Sequence, residues 1–175
     1  MQKVILVTGA NSSLGKLIVK AFLEEDVVIY ASGRDTSEIE KNANVIPVKL
    51  DITNDDEVKS VISKIVRERG KIDVLVNNAG YTISGEGTSF NPEEFLKILD
   101  TNSVGAFRLI KEIVPHMKKQ KGGKILNIVS LNGIVSFPGF SLYSASKHAL
   151  EALGESLYYE LGKYGIGVTN VIPGA

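Results

Sequence analysis

The sequence predicts an α/β fold: a doubly wound parallel sheet of six strands in the order 3-2-1-4-5-6, with helices on both faces. Three observations lead there. Short runs rich in β-branched residues alternate with longer segments of helical periodicity along the whole chain. The first run, KVILVT, is continuously apolar, as a strand covered on both faces must be. Unusual polar and glycine residues fall at or just past the run ends, where open α/β sheets bind their ligands. Right-handed crossovers then favour the stated strand order.

The strands are expected at Lys3–Thr8, Val27–Ser32, Val45–Leu50, Asp73–Asn78, Lys124–Val129 and Gly167–Ile172. Between them, Leu14–Glu25 carries Leu17, Ile18 and Phe22 at helical spacing, and Asn54–Glu68 carries Val58, Val61, Ile62 and Ile65. Asn91-Pro92-Glu93-Glu94 combines a capping residue, a first-turn proline and two early acids, and starts a helix that reads as continuous to about Lys119. The last helix begins near Ser141, repeats Leu150, Leu153, Leu157 and Leu161, and can close at Gly165. A faint helical pattern spans Gly33–Ala43.

Composition narrows the class. The 175 residues fit one domain, residues 1–175, with 43% apolar and 23% charged content. Twenty basic residues balance twenty acidic ones, so no net field points to nucleic acid or an anionic membrane. The absence of cysteine excludes disulfides, thiolate metal sites and a cysteine nucleophile. The N-terminal apolar run meets a glycine turn too early for a signal peptide or a membrane span. A soluble, cytoplasmic protein is the expectation.

TGANSSLG, Thr8–Gly15, joins the first strand to the first helix. Gly9 allows a tight turn, Gly15 lets the helix approach the sheet, and the helix amides can receive a pyrophosphate. An ordinary βα turn can also be glycine-rich, but the position after a buried strand favours nucleotide binding. After the second strand the chain reads ASGR, with no acid before Arg34. An arginine there suits the 2′-phosphate of NADP, whereas an acid would suit NAD, so NADP(H) is preferred and NAD(H) remains possible.

With TGANSSLG, NNAG (Asn77–Gly80), Asn102, Ser130, YSASK (Tyr143–Lys147) and Pro173-Gly174 in order, the sequence resembles the short-chain dehydrogenase/reductase family. The resemblance implies a Rossmann-type sheet and hydride exchange between NAD(P)(H) and a carbonyl compound or alcohol. It implies that Gly9, Asn11, Ser12, Ser13, Leu14 and Gly15 form the pyrophosphate turn. Asp51 with Ile52 would meet the adenine, Asn78, Ala79 and Gly80 would support the adenosine side, and Pro173 and Gly174 would border the nicotinamide. Asn102, Ser130, Tyr143 and Lys147 match the family's catalytic set, with Asn102 holding a water that links Lys147 to solvent. Homodimers or homotetramers packed through the two long helices are implied as well.

Each residue has a plainer reading. Asp51 can cap the following helix, Asn77 and Asn78 can satisfy turn amides, and Asn102 can bond a backbone carbonyl. Read as chemistry, Ser130 polarises a carbonyl, Tyr143 supplies the proton, and Lys147 at i+4 shares the tyrosine's helix face, where a cation favours the phenolate. Serine hydrolysis would need a histidine base, and neither His116 nor His148 has that context. A metal site has little support.

Two features depart from the family. Ser13 stands in the turn where glycine or alanine is usual. The family also continues past the Pro-Gly segment into a substrate-binding stretch and a seventh strand, so the sequence reads as truncated at its C-terminus. An epimerase or dehydratase is disfavoured by the turn spacing. A dinucleotide-binding sensor without turnover is the alternative to an oxidoreductase.

Overall fold

In the computed structural model, residues 2–174 are described, and they form a six-stranded, wholly parallel sheet in the order β3-β2-β1-β4-β5-β6. The strands are β1 (Lys3–Val7), β2 (Val27–Gly33), β3 (Val45–Lys49), β4 (Val74–Asn77), β5 (Gly123–Ile128) and β6 (Ile166–Val171). The helices are α1 (Ser13–Phe22), α2 (Asp55–Arg69), α3 (Pro92–Leu99), α4 (Gly105–Lys119) and α5 (Ser141–Gly162). The chain reverses its winding between β1 and β4, and the loops leaving those two strands part company there. Among the described residues no helix is long and apolar enough to cross a membrane.

Two apolar layers hold the sheet. On one face Leu6, Leu75 and Ile125 pack with Val58, Ile62 and Ile65 of α2, Leu109 and Ile113 of α4, and Leu161 of α5. On the other, Ile5, Val7, Ile29 and Val76 meet Ile18, Val19 and Phe22 of α1. β1, β2 and β4 are buried almost throughout, as their continuous apolar runs require. β6 differs: Ile166 and Val168 are buried while Gly167 and Thr169 are exposed, so its alternation leaves one face bare.

The helix ends follow their capping chemistry. Asn54 accepts from the Asp56 and Glu57 amides to start α2, and Gly70, at φ 76°, ends it. Asn91 and Glu94 form a reciprocal capping box at α3. α5 stops at Gly162, three residues before the expected glycine, and Gly165 (φ 72°) serves the turn into β6.

Two expectations fail for local reasons. Gly33–Ala43 forms no helix, because its polar side chains bond the backbone nearby. Asp35 Oδ1 accepts from the Ser37 amide at 2.8 Å, and Asn42 Oδ1 accepts from Asn44 and Val45 at 2.8 and 2.9 Å. The helix expected from Asn91 to Lys119 is interrupted by a π-helical stretch, Asp100–Val104. The extra residue of a π-turn rotates Asn102 and Ser103 inward, where both are buried and hydrogen-bonded.

Close approach of α1 to the sheet depends on Gly15, where a Cβ would sit 2.2 Å from the Gly9 carbonyl oxygen. Gly15→Ala is therefore expected to destabilise the fold by about 1–3 kcal/mol, as overpacking against backbone does. Gly162, with open space around it, is the control. Gly162→Ala should leave stability unchanged or raise it by about 0.5–1 kcal/mol, both read from urea unfolding midpoints.

Candidate active site

The turn from β1 to α1 is built around Gly9, whose φ of 62° favours glycine. A Cβ there would lie 2.8 Å from the Ala79 Cα, so the turn presses flat against the segment leaving β4. Ser12 caps α1: its hydroxyl donates to the Gly9 carbonyl at 2.8 Å and accepts from the Gly15 amide at 3.0 Å. Among the described residues the Ser13 and Leu14 amides have no protein acceptor. Free first-turn amides and an exposed rim of Ser12, Ser13 and Leu14 suit an anionic group. Asn11 stands beside Gly33, where a Cβ would approach its Oδ1 to 3.0 Å.

Next to the turn lies a cavity of about 510 Å³, bordered by Gly9, Arg34, Asp51, Ile52, Asn78–Gly80 and the start of the π-turn. Its size and its position at the winding reversal suit an adenosine-sized group. Asp35 is engaged by Ser37, and among the described residues Arg34 has no carboxylate partner. Asp51 Oδ1 accepts from the Thr53 amide at 2.9 Å and its hydroxyl at 2.7 Å, which holds the carboxyl below its ordinary range. Asp51 thus shapes the Ile52–Thr53 turn, while the helix cap itself is Asn54. Ile52 is buried.

At the same end of the sheet, Ser130 lies two residues past β5, half-buried, and its Oγ accepts from the Asn132 amide at 3.2 Å. Asn132 in turn donates to Ser144 Oγ at 3.2 Å, which ties the Ser130 loop to the first turn of α5. Tyr143 projects from that turn, half-buried, and among the described residues its hydroxyl has no hydrogen-bond partner. Lys147, one turn on, is only 5% exposed. Its ammonium donates to the Ile128 carbonyl at 2.8 Å and stands 6.0 Å from the centre of the Tyr143 ring. Burial lowers its pKa from 10.5 to about 8.

Asn102 joins these parts. Its Oδ1 accepts from the Tyr81 amide at 2.9 Å, and its Nδ2 donates to the Tyr81 carbonyl at 2.8 Å and Ser146 Oγ at 3.0 Å. Ser146 Oγ donates to the Tyr143 carbonyl at 2.7 Å, so one network runs from the β4 exit to the α5 turn bearing Tyr143. Gly80 closes the group: a Cβ there would meet Asn102 Oδ1 at 3.0 Å and Lys147 Nζ at 3.7 Å. Pro173 and Gly174 follow β6 at the same end of the sheet as Ser130, since the Val129 amide bonds the Val171 carbonyl at 2.9 Å.

The sequence reading had not singled out several supports. Thr8 Oγ1 donates to the Val76 carbonyl at 3.2 Å and accepts from the Asn78 and Ala79 amides, each at 3.0 Å. Asn78 reaches back to the Thr8 and Gly9 carbonyls at 2.9 and 3.0 Å. A row of amides crosses the sheet as well. Asn77 Nδ2 bonds Asn127 Oδ1 at 2.9 Å, Asn127 Nδ2 bonds Asn170 Oδ1 at 2.9 Å, and Asn170 Nδ2 bonds the Glu151 carbonyl at 2.8 Å. The three residues are register partners on β4, β5 and β6. The signal was present: an asparagine near the end of each of three strand runs, DVLVNN, KILNIV and GVTNVI. His148 Nδ1 lies 2.9 Å from the Ser144 carbonyl of its own helix, consistent with a packing residue.

The comparisons with known proteins agree with this architecture. A family model described as short chain dehydrogenase matches residues 3–175. The 3-ketodihydrosphingosine reductase of Bacteroides thetaiotaomicron is 36% identical over 172 residues, covering 98% of this chain and 63% of the relative. The 3-oxoacyl-acyl-carrier-protein reductase FabG of Thermotoga maritima is 35% identical over 180 residues, covering 98% of this chain and 73% of the relative. Among solved structures, a short-chain dehydrogenase from Streptomyces avermitilis superposes with a TM-score of 0.96 at 34% identity, covering 100% of this chain and 66% of that one. A structure titled ElxO with NADP bound gives 0.94 at 33% identity, covering 99% and 74%. The family match spans nearly the whole chain, and the same sheet order and glycine turn are present in it: the chain belongs to the short-chain dehydrogenase/reductase family.

Proposed function

We propose that this chain carries the nucleotide-binding and catalytic part of an NADP(H)-dependent oxidoreductase, one that interconverts a carbonyl compound and a secondary alcohol. The observation that carries the reading is the convergence of Gly80, Asn102 and Lys147 near Tyr143, next to a cavity that Gly80 and Arg34 both border. Relatives named as reductases and a neighbour titled as NADP-bound support it.

The cofactor, when bound, supplies or accepts the hydride. The amides of Ser13 and Leu14 would hold its pyrophosphate, Arg34 would meet the 2′-phosphate, and Asp51 with Ile52 would border the adenine. Asn78 and Ala79 keep the turn in place, and Pro173 and Gly174 would line the nicotinamide side. Ser130 donates a hydrogen bond to the substrate oxygen and stabilises charge developing there. Tyr143 transfers its phenolic proton to that oxygen in reduction and recovers it in oxidation. Lys147, below its titration point at neutral pH, is a cation beneath the tyrosine ring with no carboxylate partner to quench it. Asn102 positions Tyr143 through Ser146.

A homo-oligomer, dimer or tetramer, is part of the proposal. Leu96, Val104 and Phe107 along α3 and α4, and Tyr158 and Tyr159 on α5, are exposed apolar side chains that a second copy would cover.

Three experiments test this reading. With a panel of carbonyl substrates, Tyr143→Phe should lower NADPH oxidation by about 10²–10⁴-fold. Nucleotide binding should be unchanged, and equal turnover by the variant would remove the proton-transfer role. Arg34→Ala should weaken NADPH by about tenfold while sparing NADH, because a charged hydrogen bond is lost only with the former.

The third reads Lys147 through folding. Above about pH 8 the folded state releases the lysine proton, while the unfolded chain holds it to 10.5. The burial penalty therefore fades and stability climbs between those values, by at most about 3 kcal/mol. Lys147→Met should lack that climb, so urea unfolding at pH 7 and pH 10 should show the variant gaining on the parent only at the lower pH.

A further inference from the structure

We propose that Lys97, on α3, is a second anchor for the adenosine 2′-phosphate and faces Arg34 across the cavity. The proposal rests on the NADP(H) reading above and adds a specificity residue from the opposite wall.

The cavity has two sides. One is made by the ends of β2 and β3, with Gly33, Arg34 and Asp51; the other is made by Lys97, Asp100 and Thr101. Tyr81 also borders the cavity. Its phenol is raised mainly by burial, with Arg34 lowering it and Glu94 of α3 raising it, so both walls act on the same group. That places a cation and the first turns of α3 within electrostatic reach of one point in the cleft.

An inventory of charge around the cavity leaves an imbalance. Asp100 is paired with Arg108, whose Nη1 stands 2.8 Å away, and Asp55 takes the Arg108 Nε at 2.7 Å. Asp51 Oδ1 is held by Thr53, Asp35 Oδ1 by Ser37, and Glu94 Oε2 by the Asn91 amide at 2.9 Å. Arg34 and Lys97 are the cations of the lining, and neither has an ion-pair partner among the described residues; the Asp51 carboxylate is also outside any ion pair and is engaged by the Thr53 amide and hydroxyl. Both are exposed, one on each wall. Two unmatched cations fit a phosphate monoester that carries close to two negative charges at neutral pH. The ribose hydroxyl that NADH presents at that place gains nothing from them. The planar guanidinium can grip the phosphate in fixed geometry, and the long flexible lysine stem supplies a movable charge.

The test is equilibrium binding to the unmodified chain, Arg34→Ala and Lys97→Gln, by calorimetry. The probes are NADPH, NADH, adenosine 2′,5′-bisphosphate and adenosine 5′-monophosphate. Lys97→Gln is expected to weaken NADPH and the bisphosphate by about three- to fivefold, in the range of a solvent-exposed charge pair. NADH and the monophosphate should be unaffected, and the melting temperature should not move. Equal weakening of all four probes would assign Lys97 to the shared 5′-phosphate end and overturn the proposal. No effect of Lys97→Gln, with Arg34→Ala still discriminating, would also overturn it while leaving the NADP(H) reading intact. Failure of the unmodified chain to prefer the 2′-phosphorylated probes would overturn both.

Discussion

The Thr8 hydroxyl donates to the Val76 carbonyl and accepts from the Asn78 and Ala79 amides, while Asn78 returns two bonds to the Thr8 and Gly9 carbonyls. This exchange closes the sheet at the point where its winding reverses. β1 and β4 pair up to Val7 and Val76, and beyond that their backbones diverge with no ladder to satisfy them. Side chains take over the task. Because the turn after β1 and the segment after β4 are fixed to each other, the α1 amides, the cavity floor and Gly80 share one rigid frame.

From Gly80 the frame extends to Asn102, Lys147 and the turn bearing Tyr143. A methyl group there would press to 3.0 Å on Asn102 Oδ1 while meeting Lys147 at an ordinary contact distance, so the absence of a side chain lets the segment leaving β4 approach Asn102 closely. Asn102 reaches that place through the π-turn, a helix irregularity of the kind often found at functional sites. The amide row from Asn77 through Asn127 to Asn170 lies beneath the same end of the sheet. It holds β5 in line next to Ile128, whose carbonyl takes the Lys147 ammonium, and two residues short of the Ser130 loop. Gly154 of α5 leaves the space Asn170 occupies. Buried polar groups of this kind stabilise a unique arrangement when bonded, and each Nδ2 in the row is, while the buried Asn77 Oδ1 has no partner among the described residues.

The ionic arrangement follows the same division of labour. Carboxylates around the cavity beside the glycine turn are bound by neighbouring amides, hydroxyls or Arg108. Lys147 is different: it is buried with a carbonyl as its partner and no acid. The fold therefore bears a desolvated cation 6.0 Å from the centre of the Tyr143 ring, and the packing of both sheet faces offsets that burden.

Strand identity, strand order and the positions of the glycine turn, Ser130, Tyr143 and Lys147 were legible in the sequence. They follow from local rules: apolar run length, crossover handedness and fixed motif spacing. Helix starts at Asn54 and Asn91 were legible for the same reason, since caps are chosen by nearby residues. The π-turn at Asp100–Val104, the amide row and the non-helical segment after Gly33 were decided by tertiary structure or by competing side-chain bonds. A backbone carbonyl was a legible partner for Asn102, but only packing decides that it belongs to Tyr81 and that Ser146 joins it. Sequence spacing put Lys147 on the tyrosine's face, but the Ile128 carbonyl and the loss of water around the ammonium come from β5, 19 residues away in the chain. Local chemistry fixes which groups the chain offers; the closeness of segments far apart in sequence sets their charge and their partners.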